Sequence, residues 1–268
     1  MKRDGRKENT VGSKRMTAVR RGRGQEYRDE TPAGIPETSA GAPERSAGDR
    51  EGNESMIKAV IFDLDGTLID TEKYYRACWP RALAEFGFHM TDEQALTIRS
   101  LGRPFVIRQM REWFGEELDY HAVRERRKIL VEECIQQGGV EGKPGGKELL
   151  ETLHDRGIRA AVATASDLER TERYLKKVGF YPYFDSLVSA VMVEEGKPSP
   201  AIYLYACEQL GLRPDQCLAV EDSPNGVLSA YRAGCRVVMV PDQTEPDDEL
   251  KKYLWARVDT LRDIIALL

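Results

Sequence analysis

A short apolar run, Ala59-Val-Ile-Phe62, leads directly into Asp63-Leu-Asp65-Gly66-Thr67-Leu68. Residues of this kind, partly β-branched and closed by an acid and a glycine, read as a strand buried on both faces, as in a parallel sheet. Two carboxylates, Asp63 and Asp65, come at its carboxyl end. In open parallel α/β sheets that end is where ligands bind. Period two along an extended chain puts both acids on one side. There they repel one another unless a cation, a proton or a cationic substrate group holds them. Gly66 lets the chain turn sharply, and Thr67 supplies a hydroxyl.

The chain on either side of this stretch differs in kind. Residues 1–55 are rich in Arg, Gly, Ser, Thr, Pro and Glu, basic in the first half and acidic in the second, with no apolar periodicity. Such a segment cannot bury enough apolar surface to offset its ordering entropy, so it is expected to be disordered. It reads as a solvated tail or as sequence preceding a true start at Met56. From Met56 onward helical and strand patterns follow one another. Three helical stretches between about 71 and 138, carrying Tyr75 to Phe86, Val106 to Phe114 and Val123 to Cys134, come with no strand between them. They predict a small helical domain inserted after the first strand, with 56–70 and 139–268 forming the α/β core. In that core, strands are expected at Ile158–Ala163, Ser186–Ser189, Cys217–Val220 and Arg236–Val240, each preceded by a helix. Ser166 and Glu169 suggest a capping box, and Ser199-Pro200 a helix start.

No apolar run approaches the roughly 20 residues a membrane span requires, and no apolar core of a secretory signal follows the N-terminal basic residues. The five cysteines are odd in number and none forms a Cys-x-x-Cys pair, which speaks against a disulfide framework or a zinc site. A reducing cytoplasm is the expected setting. A net charge of −5 argues against a nucleic-acid partner; binding of RNA or DNA through the basic tail is a remote alternative.

The strand ends carry the chemistry. The first ends in Asp63 and Asp65, the second in Thr164, and a later one in Glu221-Asp222, while Lys197 stands in the turn Gly196-Lys-Pro-Ser199. Parallel strands bring these to one edge. Clustered carboxylates without histidine or cysteine suit a hard cation such as Mg²⁺. A hydroxyl, an ammonium and helix N-termini suit a phosphate, and an aspartate can attack phosphorus.

Phe62-Asp63-Leu64-Asp65-Gly66-Thr67, Thr164, Lys197 in Gly-Lys-Pro-Ser-Pro, and Glu221-Asp222-Ser223-Pro224-Asn225-Gly226 together resemble, in order, the four motifs of the haloacid dehalogenase superfamily. The resemblance covers residues 56–268 and is nearest to the β-phosphoglucomutase-like phosphatase branch. It implies a Rossmann-like parallel sheet flanked by helices, with an all-helical cap after the first strand. It further implies that Asp63 is the nucleophile and Asp65 the general acid/base. Mg²⁺ would be bound by Asp63, the Asp65 backbone carbonyl, and Glu221 and Asp222. Thr164, Ala165 and Lys197 would hold the phosphate. Tyr75, Trp79, Gly102 and Arg103 stand where relatives face the substrate, and Arg103 could reach a second anionic group. The expected activity is hydrolysis of a small phosphorylated metabolite by a monomer or weak dimer. A phosphosugar mutase is the second expectation; the mutase pattern has a histidine about where Tyr75 stands.

Overall fold

The computed structural model describes residues 56–268; the tail expected over residues 1–55 lies outside the described residues. Strand β1 (Ala59–Phe62) is followed by four helices, α1 (Glu72–Glu85), α2 (Asp92–Thr97), α3 (Arg103–Phe114) and α4 (Tyr120–Gly138). Helices and strands then alternate: α5 (Gly146–Asp155), β2 (Arg159–Thr164), α6 (Leu168–Lys177), β3 (Ser186–Ser189), α7 (Ala201–Leu210), β4 (Cys217–Glu221), α8 (Pro224–Ala233), β5 (Arg236–Met239) and β6 (Ala256–Arg257). No helix of the described residues is long and apolar enough to cross a membrane.

The strands form one sheet in the order β3-β2-β1-β4-β5-β6, with every pair parallel. The order reverses at β1, so the crevice for a ligand opens at its carboxyl end. Phe62 lies opposite Val162 on one side and Val220 on the other. The chain therefore leaves β1, β2 and β4 at the same edge.

Alternation along the strands sorts the core into two layers. Val60, Phe62, Val162, Leu218 and Val220 face one side, where Leu149, Leu150 and Leu153 of α5 and the C-terminal Leu261 and Ile264 are packed. Ala59, Ile61, Ala161, Ala163, Ala219 and Val237 face the other, against Ile202, Tyr203 and Ala206 of α7 and Val227 and Ala230 of α8. Small alanines in β2 and β4 let the second helix layer approach closely, and both faces of β1 are dry.

Four differences from the sequence expectations have local reasons. The helical block holds four helices; α2 buries only Ala95 and is too short to show a stripe. Strand β6 has two residues, too few to show a period-two alternation. Helix α7 begins after Pro200, not Ser199. Helix α6 is capped by Asp167, whose side chain accepts from the Arg170 N–H at 2.9 Å. Ser166 is therefore not the cap.

Candidate active site

The site starts where β1 stops. The Asp63 N–H still donates to the Val220 carbonyl at 3.0 Å, which fixes its backbone against β4. Its carboxylate accepts from the Lys197 ammonium at 2.5 Å, and the same ammonium donates to Glu221 Oε1 at 2.5 Å. The Tyr203 hydroxyl, from α7, donates to that Glu221 oxygen at 2.6 Å. All four side chains are buried.

Asp65 faces a different set. Its two carboxylate oxygens accept from the Thr71 and Ser166 hydroxyls, each at 2.5 Å. Thr71 precedes α1 and makes no side-chain cap bond there, because its hydroxyl is committed to Asp65. Arg170 in turn donates to the Ser166 hydroxyl. Thr164, at the end of β2, accepts from the Ser166 N–H at 3.0 Å, so the turn after β2 is held in place beside Asp65.

Directly after Asp65, Gly66 adopts a φ of +89°, and a Cβ there would come within 2.5 Å of Asp222 Oδ2. Both the left-handed backbone and the close approach require glycine. Thr67 donates to Asp222 Oδ1 at 3.2 Å. Arg99, from the segment after α2, donates to the Asp222 backbone carbonyl at 2.9 Å and places Nη1 3.6 Å from Asp222 Oδ2.

Asp63, Glu221 and Asp222 offer carboxylate oxygens that lie within 4.8 Å of one another, all buried. Against these three acids the described residues set one ammonium, Lys197, and one guanidinium, Arg99. Burial pushes the Asp63 carboxyl well above its ordinary range; Lys197 opposes this, and Glu221 and Asp222 add to it. Burial likewise pushes Asp222 up to about 7, with Arg99 opposing. Burial works against the Lys197 ammonium, yet Asp63 and Glu221 outweigh it and hold its pKa above the usual lysine value. Crowded acids of this kind ask for further positive charge. Asp222 Oδ2 has no hydrogen-bond partner, whereas both Glu221 oxygens are engaged, one by Lys197 and Tyr203 and the other by the Asp222 N–H and Ser223. An all-oxygen donor set in which one carboxylate oxygen accepts no hydrogen bond fits a hard divalent cation.

A cavity of about 430 Å³ opens from this cluster toward the helical block. Asp63, Asp65, Thr164 and Ala165 line it together with Tyr75, Trp79, Gly102 and Arg103. Lys197, Glu221 and Asp222 are outside its lining and connect to it through Asp63. Sequence reasoning missed Thr71, Glu72, Arg99, Arg170 and Tyr203, and assigned Ser166 a different part. Only Ser166 carried a usable signal, standing two residues past the strand-end Thr164.

A family model for haloacid dehalogenase-like hydrolases matches residues 57–234. The phosphorylated carbohydrates phosphatase of Thermotoga maritima is 31% identical over 182 residues, which span 66% of this chain and 82% of that protein. Hexitol phosphatase A of Escherichia coli is 31% identical over 183 residues, spanning 68% and 82%. The crystal structure of CbbY from Rhodobacter sphaeroides in complex with phosphate superposes with a TM-score of 0.65 at 27% identity, covering 78% of this chain and 96% of that one.

Proposed function

The chain belongs to the haloacid dehalogenase-like hydrolase family, and on that premise we propose that it is a Mg²⁺-dependent phosphatase. Its substrate is a small, sugar phosphate-like metabolite, and the reaction runs through an aspartyl-phosphate. The observation that carries this reading is the Lys197 ammonium, bonded at 2.5 Å to both Asp63 and Glu221, beside an Asp222 oxygen that accepts no hydrogen bond from the described residues. The relatives named as phosphatases of carbohydrate and hexitol phosphates support the substrate class.

In this mechanism the Asp63 carboxylate attacks phosphorus and the P–O bond to the alcohol breaks. Asp65, oriented by Thr71 and Ser166, gives the departing oxygen its proton. Asp65 then takes a proton from water as that water attacks the phosphoryl group, which frees Asp63 and inorganic phosphate. Lys197, Thr164 and the Ala165 backbone hold the phosphoryl oxygens. Asp63, the Asp65 backbone carbonyl, Asp222 and Glu221 would hold Mg²⁺, which offsets repulsion between the carboxylate and the phosphate and stabilises charge in the transition state. The four helices between β1 and α5 act as a cap that covers the substrate.

A panel of phosphorylated metabolites, assayed for phosphate release with Mg²⁺, tests the reading. Wild-type protein is expected to release phosphate from at least one sugar phosphate. Asp63→Asn should lower turnover by about three orders of magnitude or more while the protein stays folded, because shape is kept and the nucleophile is lost. Undiminished turnover by Asp63→Asn, or by EDTA-treated protein, would overturn it. Including β-glucose 1-phosphate with a trace of its bisphosphate separates hydrolysis, which yields free phosphate, from mutase activity, which yields glucose 6-phosphate.

A further inference from the structure

The chain enters the helical block through α1 and leaves it through α4, and the two helices are tied together in successive rungs. Next to the core, the Asp70 N–H donates to the Glu141 carbonyl at 3.0 Å. One turn along, the Tyr74 hydroxyl donates to the Gly139 carbonyl at 3.2 Å. One turn further stands Cys78, whose Sγ lies 3.7 Å from the Sγ of Cys134 on α4. Farther out, the Arg126 guanidinium forks onto Glu85. As a hydrogen bond the sulfur pair is the weakest of these rungs, because a thiol is a poor donor. It is also the rung that oxidation can turn into a covalent bond.

The two sulfurs are not equivalent. Cys134 is partly exposed and Cys78 is buried. The Arg81 guanidinium donates to the Cys134 sulfur at 3.3 Å. Oxidants select cysteines that solvent reaches and that a cation accompanies. Burial pushes the Cys78 thiol up to about 12, and the neighbouring Cys134 adds to this, so Cys78 keeps its proton until a partner sulfur is ready. It needs no access of its own, since it has only to meet Cys134. The other three cysteines of the chain differ. Cys207 and Cys235 stand 4.0 Å apart, but both are buried, as is Cys217, so no member of that group meets a reagent first.

We propose that Cys134 and Cys78 form a disulfide driven by a hydroperoxide and reversed by thiols, which staples α1 to α4. The Cys134 sulfur attacks one peroxide oxygen and the O–O bond breaks. The leaving hydroxide takes up a proton as water, and Cys134 becomes a sulfenic acid. The Cys78 sulfur then attacks that of Cys134, the S–O bond breaks, and the hydroxyl departs with the Cys78 proton as a second water. Two thiols lose two electrons and one peroxide gains them. The sulfurs close from 3.7 Å to about 2.05 Å. Tyr75 and Trp79 on α1 and Arg127 on α4 line the cavity, so the staple fixes the spacing of the two helices that carry its wall. In reducing compartments such bonds are transient and redox-sensing. A pair of thiols that only fills space would not react in this way.

The test uses the full chain, reduced, desalted and treated with about ten equivalents of hydrogen peroxide. Thiols alkylated after denaturation should fall from five to three, a peptide map should join Cys78 to Cys134, and dithiothreitol should restore all five. Cys78→Ser should form no bond and should leave Cys134 as a sulfenic acid that dimedone captures. Cys134→Ser should lose no thiol to peroxide. In the oxidised protein, amides of α1 and α4 should exchange with deuterium about threefold or more slowly than in the reduced protein, with those of α7 unchanged, as local opening of the stapled pair is suppressed. Five free thiols after peroxide, a bond joining Cys207 to Cys235 instead, or a covalent dimer through Cys134 each overturns the proposal. So does a Cys78–Cys134 bond that leaves exchange in α1 and α4 as it was.

Discussion

Lys197 shows how far charge balance is set one residue at a time. It is 1% exposed and joins two carboxylates that would otherwise repel. Glu72, in the first turn of α1, has no such partner among the described residues although it lines the same cavity and is 7% exposed. Burial pushes its carboxyl well above the ordinary range, with the charge of Asp222 adding and Arg99 opposing. The sign follows from linkage. A folded-state pKa above the unfolded one gives a contribution to stability that is fully present below the unfolded value, about 4.3. That contribution is lost as pH rises through the folded value. At pH 8, well above the unfolded value, wild-type protein therefore carries the cost of burying this carboxyl, and Glu72→Gln does not. In EDTA, Glu72→Gln is expected to raise the melting temperature by about 2–4 °C per kcal/mol recovered at pH 8 and to change it little at pH 4. Thermal melts at the two pH values check this; a gain of the same size at both, or a loss at pH 8, would sink it.

At the scale of elements, the legible part and the hidden part divide cleanly. Strands β1, β2, β4 and β5 could be read because a buried parallel strand is a largely continuous apolar run, and the acids after β1 and at the end of β4 stand out against it. The cavity wall could not. Arg124 and Arg127 of α4 both line the cavity and stand among Arg126 and Lys128; helical periodicity places the apolar stripe without saying which of the four cations turn inward. Ser166 looked like a cap because short polar residues before helices usually are; what removed it was Asp65, 101 residues away in the chain. A contact of the same long-range kind joins the helical block to the core. The Gly102 N–H, at the start of α3, donates to the Lys197 carbonyl at 2.7 Å, and a Cβ on Gly102 would lie 3.0 Å from the Gly196 backbone. Two backbones meet there, so neither side can yield by turning a side chain. Gly102→Ala is expected to push α3 off the turn that carries Lys197 and lower kcat/KM about tenfold, with a melting temperature within a few degrees of wild type. Steady-state kinetics beside a melt would show it, and an unchanged kcat/KM would mean the two segments separate freely.

For the molecule as a whole, the same sheet that gives stability also concentrates charge. Folding brings Asp63 from β1 and Glu221-Asp222 from β4 to within 4.8 Å, and the acids end in a setting that burial makes hostile to their charged forms. In the unfolded chain these groups are about 158 residues apart along the sequence, solvated and independent. A divalent cation that gathers them binds the folded state alone, and its binding free energy becomes folding free energy. At a concentration of about 100 times its Kd the gain is about 2.7 kcal/mol, which for a domain of this size corresponds to a rise of about 5–10 °C in melting temperature. Magnesium titrated into EDTA-stripped protein is expected to produce that rise and to saturate. Asp222→Asn should abolish it, because within the cluster of Asp63, Glu221 and Asp222 a buried carboxylate oxygen that accepts no hydrogen bond is on Asp222. Lys143→Met, which removes an ion pair with Asp242 at 2.7 Å on the neighbouring loop, should shift the baseline melting temperature and leave the increment intact. An increment that survives Asp222→Asn would place the cation elsewhere than at the strand ends.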